Sequence, residues 1–560
     1  MPDFDRLRPA RFASLLALAA AIVAACSASS EDGGFDNPSS GNGASGSDNG
    51  SGGGSGLPSG SGGGGGEFVG DPKTCDQAAS SKSYLGCEFW PTVTGNNVWD
   101  MFDYAVVVAN AGDETASIEV AQGGATIATA TIGPNEAGKI FLPWVPALKG
   151  PQADTCGSAT PLPGTVLAPD GAYHLTSSVP VTVYQFNALE YRGAGGPPGK
   201  SWAGCPGDQI CPIYGIAVGC FSFSNDASLL LPSTALTNNY RVTAYKGWPT
   251  ANIGGYAAVT ATADDTQVTV YTSSTASVLA GGPVSNTGPN GTATFVIDAG
   301  DVVQLLSPPT GDLSGTLIQS NKPVQVITGM PCTQMPEGVQ ACDHIEESVF
   351  PAETLGKHYF VTVPTSPGGG PIGHVVRIFG NVDGTTLTYP SGAPPGAPTT
   401  IDAGAVVDLN IVSQSFEVQG DNAFAVASFG LSAELADPGA VVPDQKGDPD
   451  QSLMTAVEQF RDKYVFLAPD DYDVSYVDIT QPMGAQVSID GAPIGVAPTL
   501  IGSGYGIARV LLGPGNAGAH VLTADTGVGI QVMGYGAYTS YQYPGGLNLK
   551  AIAPPPEVPK

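Results

Sequence analysis

Apolar and polar residues alternate along most of the chain in runs of four to eight, bounded by Gly, Pro, Asn and Asp. TQVTVYTSS (266–274) and TTLTYPSG (385–392) are typical, with a branched or bulky apolar residue at every second position. That period is the one a strand needs to bury a single face. Asp-Gly pairs in GNVDGTT and SIDGAP suit hairpin turns. Apolar spacing of three and four is nearly missing, and SLMTAVEQFRDKY (452–464) predicts at most one short helical turn. The pattern predicts an all-β chain.

The runs recur in a fixed order. SLLLPSTALTNNYRVTAY (228–245) is echoed by SVFPAETLGKHYFVTVP (348–364), and IDAGDVVQL (297–305) by IDAGAVVDL (401–409). A third echo starts at VEQFRDKYVFLAP (457–469), and YAVVVANAGDETASIEV opens a fainter one near the start. Four related units follow, at about 84–192, 222–332, 345–435 and 453–545. A period near a hundred residues is far longer than a solenoid repeat. Several short strands per unit predict tandem β-sandwich-like units, with a propeller-like closed arrangement as the alternative. The expected division is 67–221 with a Cys-rich connection, 222–344, 345–452 and 453–548, then a Pro-rich tail, 549–560. The shared phrase reads as the opening strand of each unit.

Composition sharpens this picture. Arg6, Arg8 and Arg11 precede an apolar run from Phe12 to Ala25, the length of a signal-peptide core. The run ends in VAAC, so residues 1–25 read as a lipoprotein signal peptide and Cys26 as the lipidated residue. Residues 26–66 are Gly/Ser-rich and predict a flexible tether. Ser27, with no aspartate beside the cysteine, points to the outer membrane of a bacterial envelope and a surface-exposed protein. A formal charge of −30 with 12% charged residues argues against a nucleic-acid partner. Setting Cys26 aside, Cys75, Cys87, Cys156, Cys205, Cys211, Cys220, Cys332 and Cys342 remain, an even number in an exported chain. Disulfides are expected. Closeness suggests Cys75–Cys87 and Cys332–Cys342; the order among the other four stays open.

Candidate chemistry is thin. GAGGPPGKS (193–201) has Ala194 where a phosphate-binding loop needs glycine, and two prolines remove amide donors. No G-x-S-x-G occurs, and the five histidines form no close ligand pair. CDHIEE (342–347) reads as a disulfide-anchored polar loop leading into a strand. His174 and His520 hold matching positions in the first and fourth units, a structural slot. DPDQ (448–451) and DDYD (470–473) cluster oxygen ligands without the calcium-loop spacing, so solvated acidic loops are expected and calcium is the lesser alternative. No cofactor or metal is expected. Tyr541 and Tyr543 share one strand face, either as an exposed binding face or as packing.

SNDASLLLPSTALTNNYRVTAY, CDHIEESVFPAETLGKHYFV, VEQFRDKYVFLAP and SYQYPGGLNL together resemble the domain at the N-terminus of IgGFc-binding proteins, over most of residues 80–548. The resemblance implies a non-enzymatic binding or adhesion module with an extracellular protein or glycan ligand. An extracellular hydrolase acting on polysaccharide or peptide is the alternative, because paired carboxylates leave no fixed spacing.

Overall fold

The computed structural model describes residues 71–441, 444–513 and 518–560. The signal peptide, Cys26 and the tether lie outside the described residues. The rest is antiparallel β-structure with short helical turns, one of them at Val457–Gln459 inside the segment with the helical signal.

The second unit displays the pattern. One sheet runs in the order β12 (Thr292–Ile297), β11 (Thr266–Tyr271), β14 (Leu317–Ser320), β9 (Asn239–Arg241). The other runs β16 (Cys342–Ser348), β15 (Val324–Gln334), β10 (Tyr256–Ala261), β13 (Val302–Leu306). Val268, Val270, Phe295 and Ile297 alternate inward from the first sheet and meet Val259, Val303 and Val326 of the second in one core. β10 is buried on both faces, because it packs on the sandwich core and on a neighbouring unit at once. It therefore reads as a continuous apolar run instead of an alternating one.

The third unit repeats this topology strand for strand. Its sheets are β20 (Thr400–Ile401), β19 (Thr385–Thr388), β22 (Phe416–Gly420), β17 (His358–Val361), and β24 (Gln451–Leu453), β23 (Phe424–Phe429), β18 (His374–Gly380), β21 (Val406–Val412). In the first unit the sixth and seventh strands fuse into β7 (His174–Phe186). Its first half pairs β1 (Gly86–Phe89) and β3 (Ala116–Gln122), and its second half pairs β2 (Tyr104–Asn110) and β8 (Ala227–Leu230). β4 (Ala125–Ile132) and β5 (Glu136–Leu142) complete the two sheets. The fourth unit fuses the same strands into β31 (Gly518–Gly536), which pairs β25 (Arg461–Ala468) and β27 (Val487–Ile489), then β26 (Val474–Pro482) and β32 (Thr539–Pro544). A short strand from the first unit, β6 (Val166–Ala168), crosses over to the edge of β13.

Both architectural expectations are met, at different levels. Each unit is a two-sheet sandwich, and the four units close into a ring. Their eighth strands abut in cyclic order, β8 to β16 to β24 to β32 and back to β8. The structure divides the shared phrase. Its second half, β9 or β17, opens a sandwich as expected, whereas its first half, β8 or β16, closes the preceding one. Pro232 and Pro351 stand between the halves, where a missing N–H stops the ladder.

The Pro-rich tail is ordered along the junctions. The amides of Ile552 and Ala553 donate to the Glu353 carbonyl, the Glu557 amide donates to the Asn381 carbonyl, and the Arg241 guanidinium donates to the Glu557 carbonyl.

Candidate functional site

The eighth strands are edge strands, so each turns unpaired N–H groups toward the ring axis. Buried donors need partners, and one side chain supplies several. Asp226, fully buried just ahead of β8, accepts through Oδ2 from the Glu346 and Gln451 amides, both at 2.9 Å. Its Oδ1 accepts from the Ala227 amide at 2.8 Å and the Gln542 amide at 3.4 Å. One carboxyl thus joins all four units.

Five more acids surround it. Glu346 accepts from Gln185, Ser228, Thr94 and Asn187, all within 3.1 Å, with the His344 ring at 3.4 Å. Asp343 accepts from the Asn225 amide at 2.5 Å, the His344 amide at 2.7 Å and the Thr539 hydroxyl at 2.9 Å, linking units one, two and four. Asp450 accepts from the Gly430 amide at 3.0 Å. Glu347 uses one oxygen on the Ser348 amide and leaves the other unpaired. Asp448 lies near the Ala433 amide, yet neither of its oxygens meets hydrogen-bond geometry with a described group. Burial drives Asp226, Asp343, Glu347 and Asp448 well above the ordinary carboxylate range, and mutual charge adds to this. Burial likewise raises Asp450 to about 7. Among the described residues no Lys or Arg forms an ion pair with any of the six. Among the described residues, the group of three side chains whose ligand atoms lie within 4.8 Å of one another combines the disulfide-bonded Cys205 and Cys220 with Asp208, and none of the six acids belongs to it.

DPDQ is therefore not a solvated loop. Asp448 and Asp450 are 2% and 3% exposed, because the β23–β24 connection folds onto the axis. DDYD splits: Asp470 and Asp471 pair with Lys139 of unit one, Asp473 with Lys446, and Tyr472 is buried. CDHIEE is β16 itself, beginning at its disulfide. His174 and His520 do share a slot, each on the fused sixth strand and each against a carboxylate, Glu88 at 2.7 Å and Asp490 at 2.8 Å. Tyr541 and Tyr543 are fully buried, which corrects the exposed binding face. Their shared face points into the seam between units four and one, with ring centroids 4.7 Å from Tyr472 and 4.5 Å from Tyr184 respectively.

The connections between seventh and eighth strands all emerge at one end of this axis and bond to one another. Met335 and Ser432 exchange backbone and hydroxyl bonds, the Tyr538 amide donates to the Gln445 carbonyl, and the Thr539 hydroxyl lies 3.1 Å from Asn225 Oδ1. The first unit's connection, residues 187–226, is the longest. Its Cys205–Cys220 disulfide closes a loop, and Cys156–Cys211 ties that loop's interior to a second segment. Within it, Ile210 and Ala217 form a bridge, and Cys211 donates to the Ile216 carbonyl at 2.9 Å. The hairpin so formed holds Ile213 72%, Ile210 69%, Tyr214 51% and Ile216 42% exposed. Val441 of the third unit's connection is 67% exposed. Beside the hairpin a groove of about 550 Å³ runs between Val218 and Phe223 of unit one, Gln340 of unit two and Tyr538 of unit four. The exposed charges of these connections and the stapled segment are mostly acidic: Asp154, Asp208, Glu337, Glu434 and Asp444 against Arg192, which itself lies 3.7 Å from Asp473.

The cysteines stand out in the sequence, but what they staple does not. The signal available was PIYGIAVG between two cysteines, an uncharged apolar stretch too short for a strand pair with a core of its own. All four bridges fall before residue 343, with Cys75–Cys87 and Cys332–Cys342 paired as proximity suggested.

A family model described as IgGFc binding protein matches residues 226–534, from the axial aspartate to the end of the fourth unit's long strand. Over 263 residues the chain is 27% identical to the IgGFc-binding protein of Homo sapiens, an alignment covering 45% of this chain and 4% of that protein. The chain thus spans a small fraction of this relative's length. No solved structure matches.

Proposed function

The chain belongs to the IgGFc-binding protein family, and from that premise we propose that it is a non-enzymatic binding module whose loop face takes an extracellular protein. The observation that carries this reading is the doubly stapled hairpin Ile210–Ala217. Aliphatic side chains at this exposure cost solvation in a monomer, and grouped apolar exposure marks interaction surfaces. Stapling lowers the ordering cost of binding. The acidic surround favours a partner whose apolar socket has a basic rim.

The test presents the immobilised protein with a panel of extracellular proteins and glycans, including immunoglobulin Fc because the human relative bears that name. Saturable protein binding should weaken at least tenfold in Ile213→Asp, about the loss of one buried aliphatic contact plus a stranded charge. Binding indifferent to that substitution, or substrate turnover removed by one Asp or Glu change, overturns the reading.

The anchoring proposal rests on the sequence: the Arg-rich start, the short apolar run, VAAC and the Gly/Ser tether support a lipid-anchored outer-membrane protein. Labelled palmitate should enter the wild type and not Cys26→Ala. Equal labelling of both removes the anchor.

A further inference from the structure

We propose that the ring axis is a proton-operated lock, in which protons held among Asp226, Asp343, Asp448 and Asp450 keep the four closing strands together and their loss loosens the seams. The geometry is that of a hub. Asp226 takes amides from three other units, Asp343 takes donors from two, and Asp450 holds the Gly430 amide of its own connection.

Four ionised aspartates at one dry axis would repel one another with only amide and hydroxyl donors to offset them and, among the described residues, no paired Lys or Arg. The groups that face them are Glu346, Glu347 and His344 from β16, Tyr256 from β10, Tyr472 from the β25–β26 connection, Tyr535 from β31 and Tyr538 from the β31–β32 connection. None of the tyrosines supplies positive charge. Cations on neighbouring elements are committed elsewhere: Arg509 to Asp478 at 2.8 Å, Lys446 to Asp473 at 2.6 Å, and Lys200 to Asp103 and Glu190. Protons are the remaining way to lower the charge. Asp226, with amides on both oxygens, is best suited to carry the residual negative charge. Asp448, whose carboxyl meets no hydrogen-bond partner among the described residues, is best suited to stay neutral. The group titrates as one coupled set.

The sign follows from proton counts. The folded axis holds protons that the unfolded chain releases above about pH 4. Stability from this source is therefore complete below that pH and is lost as pH rises through the folded values, about 7 for Asp450 and well above the ordinary carboxylate range for Asp343 and Asp448. His374, buried and held near 3, acts in the opposite sense below its unfolded value, so the axis must be read by difference.

The experiment measures denaturant unfolding of the full chain from pH 5 to 9, wild type beside Asp450→Asn. Each retained proton makes the unfolding constant rise tenfold per pH unit. The wild-type constant divided by the variant's should rise about tenfold per unit between pH 5 and 7, then level off. A ratio that is flat or falls with pH overturns the lock. Should Asp450→Asn fail to fold, Asp448→Asn gives a second readout at a carboxyl with no hydrogen bond to lose: its ratio should again rise with pH above 5, and a flat or falling ratio overturns the lock.

Discussion

Replacing Asp226 with alanine tests whether one carboxyl holds the ring. The substitution deletes the acceptor of the Glu346 and Gln451 amides, on the closing strands of units two and three. Both residues are fully buried, so water does not replace the lost partner. A stranded buried donor costs about 1–3 kcal/mol, and the two together about 2–6 kcal/mol, partly offset because a buried carboxyl is also removed. Asp226→Asn keeps an acceptor oxygen and should cost about 1–2 kcal/mol, one imperfect hydrogen bond. Denaturant midpoints supply the totals, and amide hydrogen exchange supplies the location. Exchange should accelerate at Glu346 and Gln451 in the alanine variant while the outer strands β11 and β19 keep their protection. An alanine variant within 1 kcal/mol of wild type, or unchanged exchange at those two amides, would refute the hub.

Two further outcomes follow from the same structure. Arg377, on β18 of unit three, donates to the Ala244 carbonyl, Ser314 and Asp312 of unit two, and its charge holds the buried Asp312 carboxyl below the usual range although burial opposes it. Arg377→Met strands Asp312 and should cost about 3–5 kcal/mol, while the double variant with Asp312→Asn recovers part of that in a double-mutant cycle. Paired Cys156→Ser and Cys211→Ser removes a bridge across 55 residues, worth up to about 4 kcal/mol by chain entropy; limited proteolysis should then cut first within residues 205–220, leaving the sandwiches intact.

Much of the fold was legible because strands announce themselves by period two and because the units repeat their order. The junction inside the shared phrase is not legible for a physical reason. A phrase conserved between copies contains the last strand of one sandwich and the first of the next, and nothing in local alternation says which way either half pairs. The axis was harder to see. Asp226 and Asp450 are polar residues beside turns, and polarity alone predicts solvent; only closure of the ring converts those positions to interior. Tyr541 and Tyr543 misled in the same way, since a strand's two faces are equivalent until a neighbouring unit covers one.

The ring also dictates an order of assembly. Three seams join units adjacent in the chain, but the last joins ends that are far apart: Tyr84 accepts from the Val465 amide across 381 residues, and Tyr184 donates to the Gly545 carbonyl across 361. Closing a loop of that size costs about 5 kcal/mol of chain entropy, a figure that grows only logarithmically with length. The aromatic residues gathered there, Tyr84, Tyr184, Tyr472 and Tyr543, act as a latch strong enough to meet it. Before the latch shuts, both of its halves are bare, and a second chain carries the same halves. Refolding at high concentration therefore sets intermolecular latching against closure of a single ring, and dilution favours the closed form.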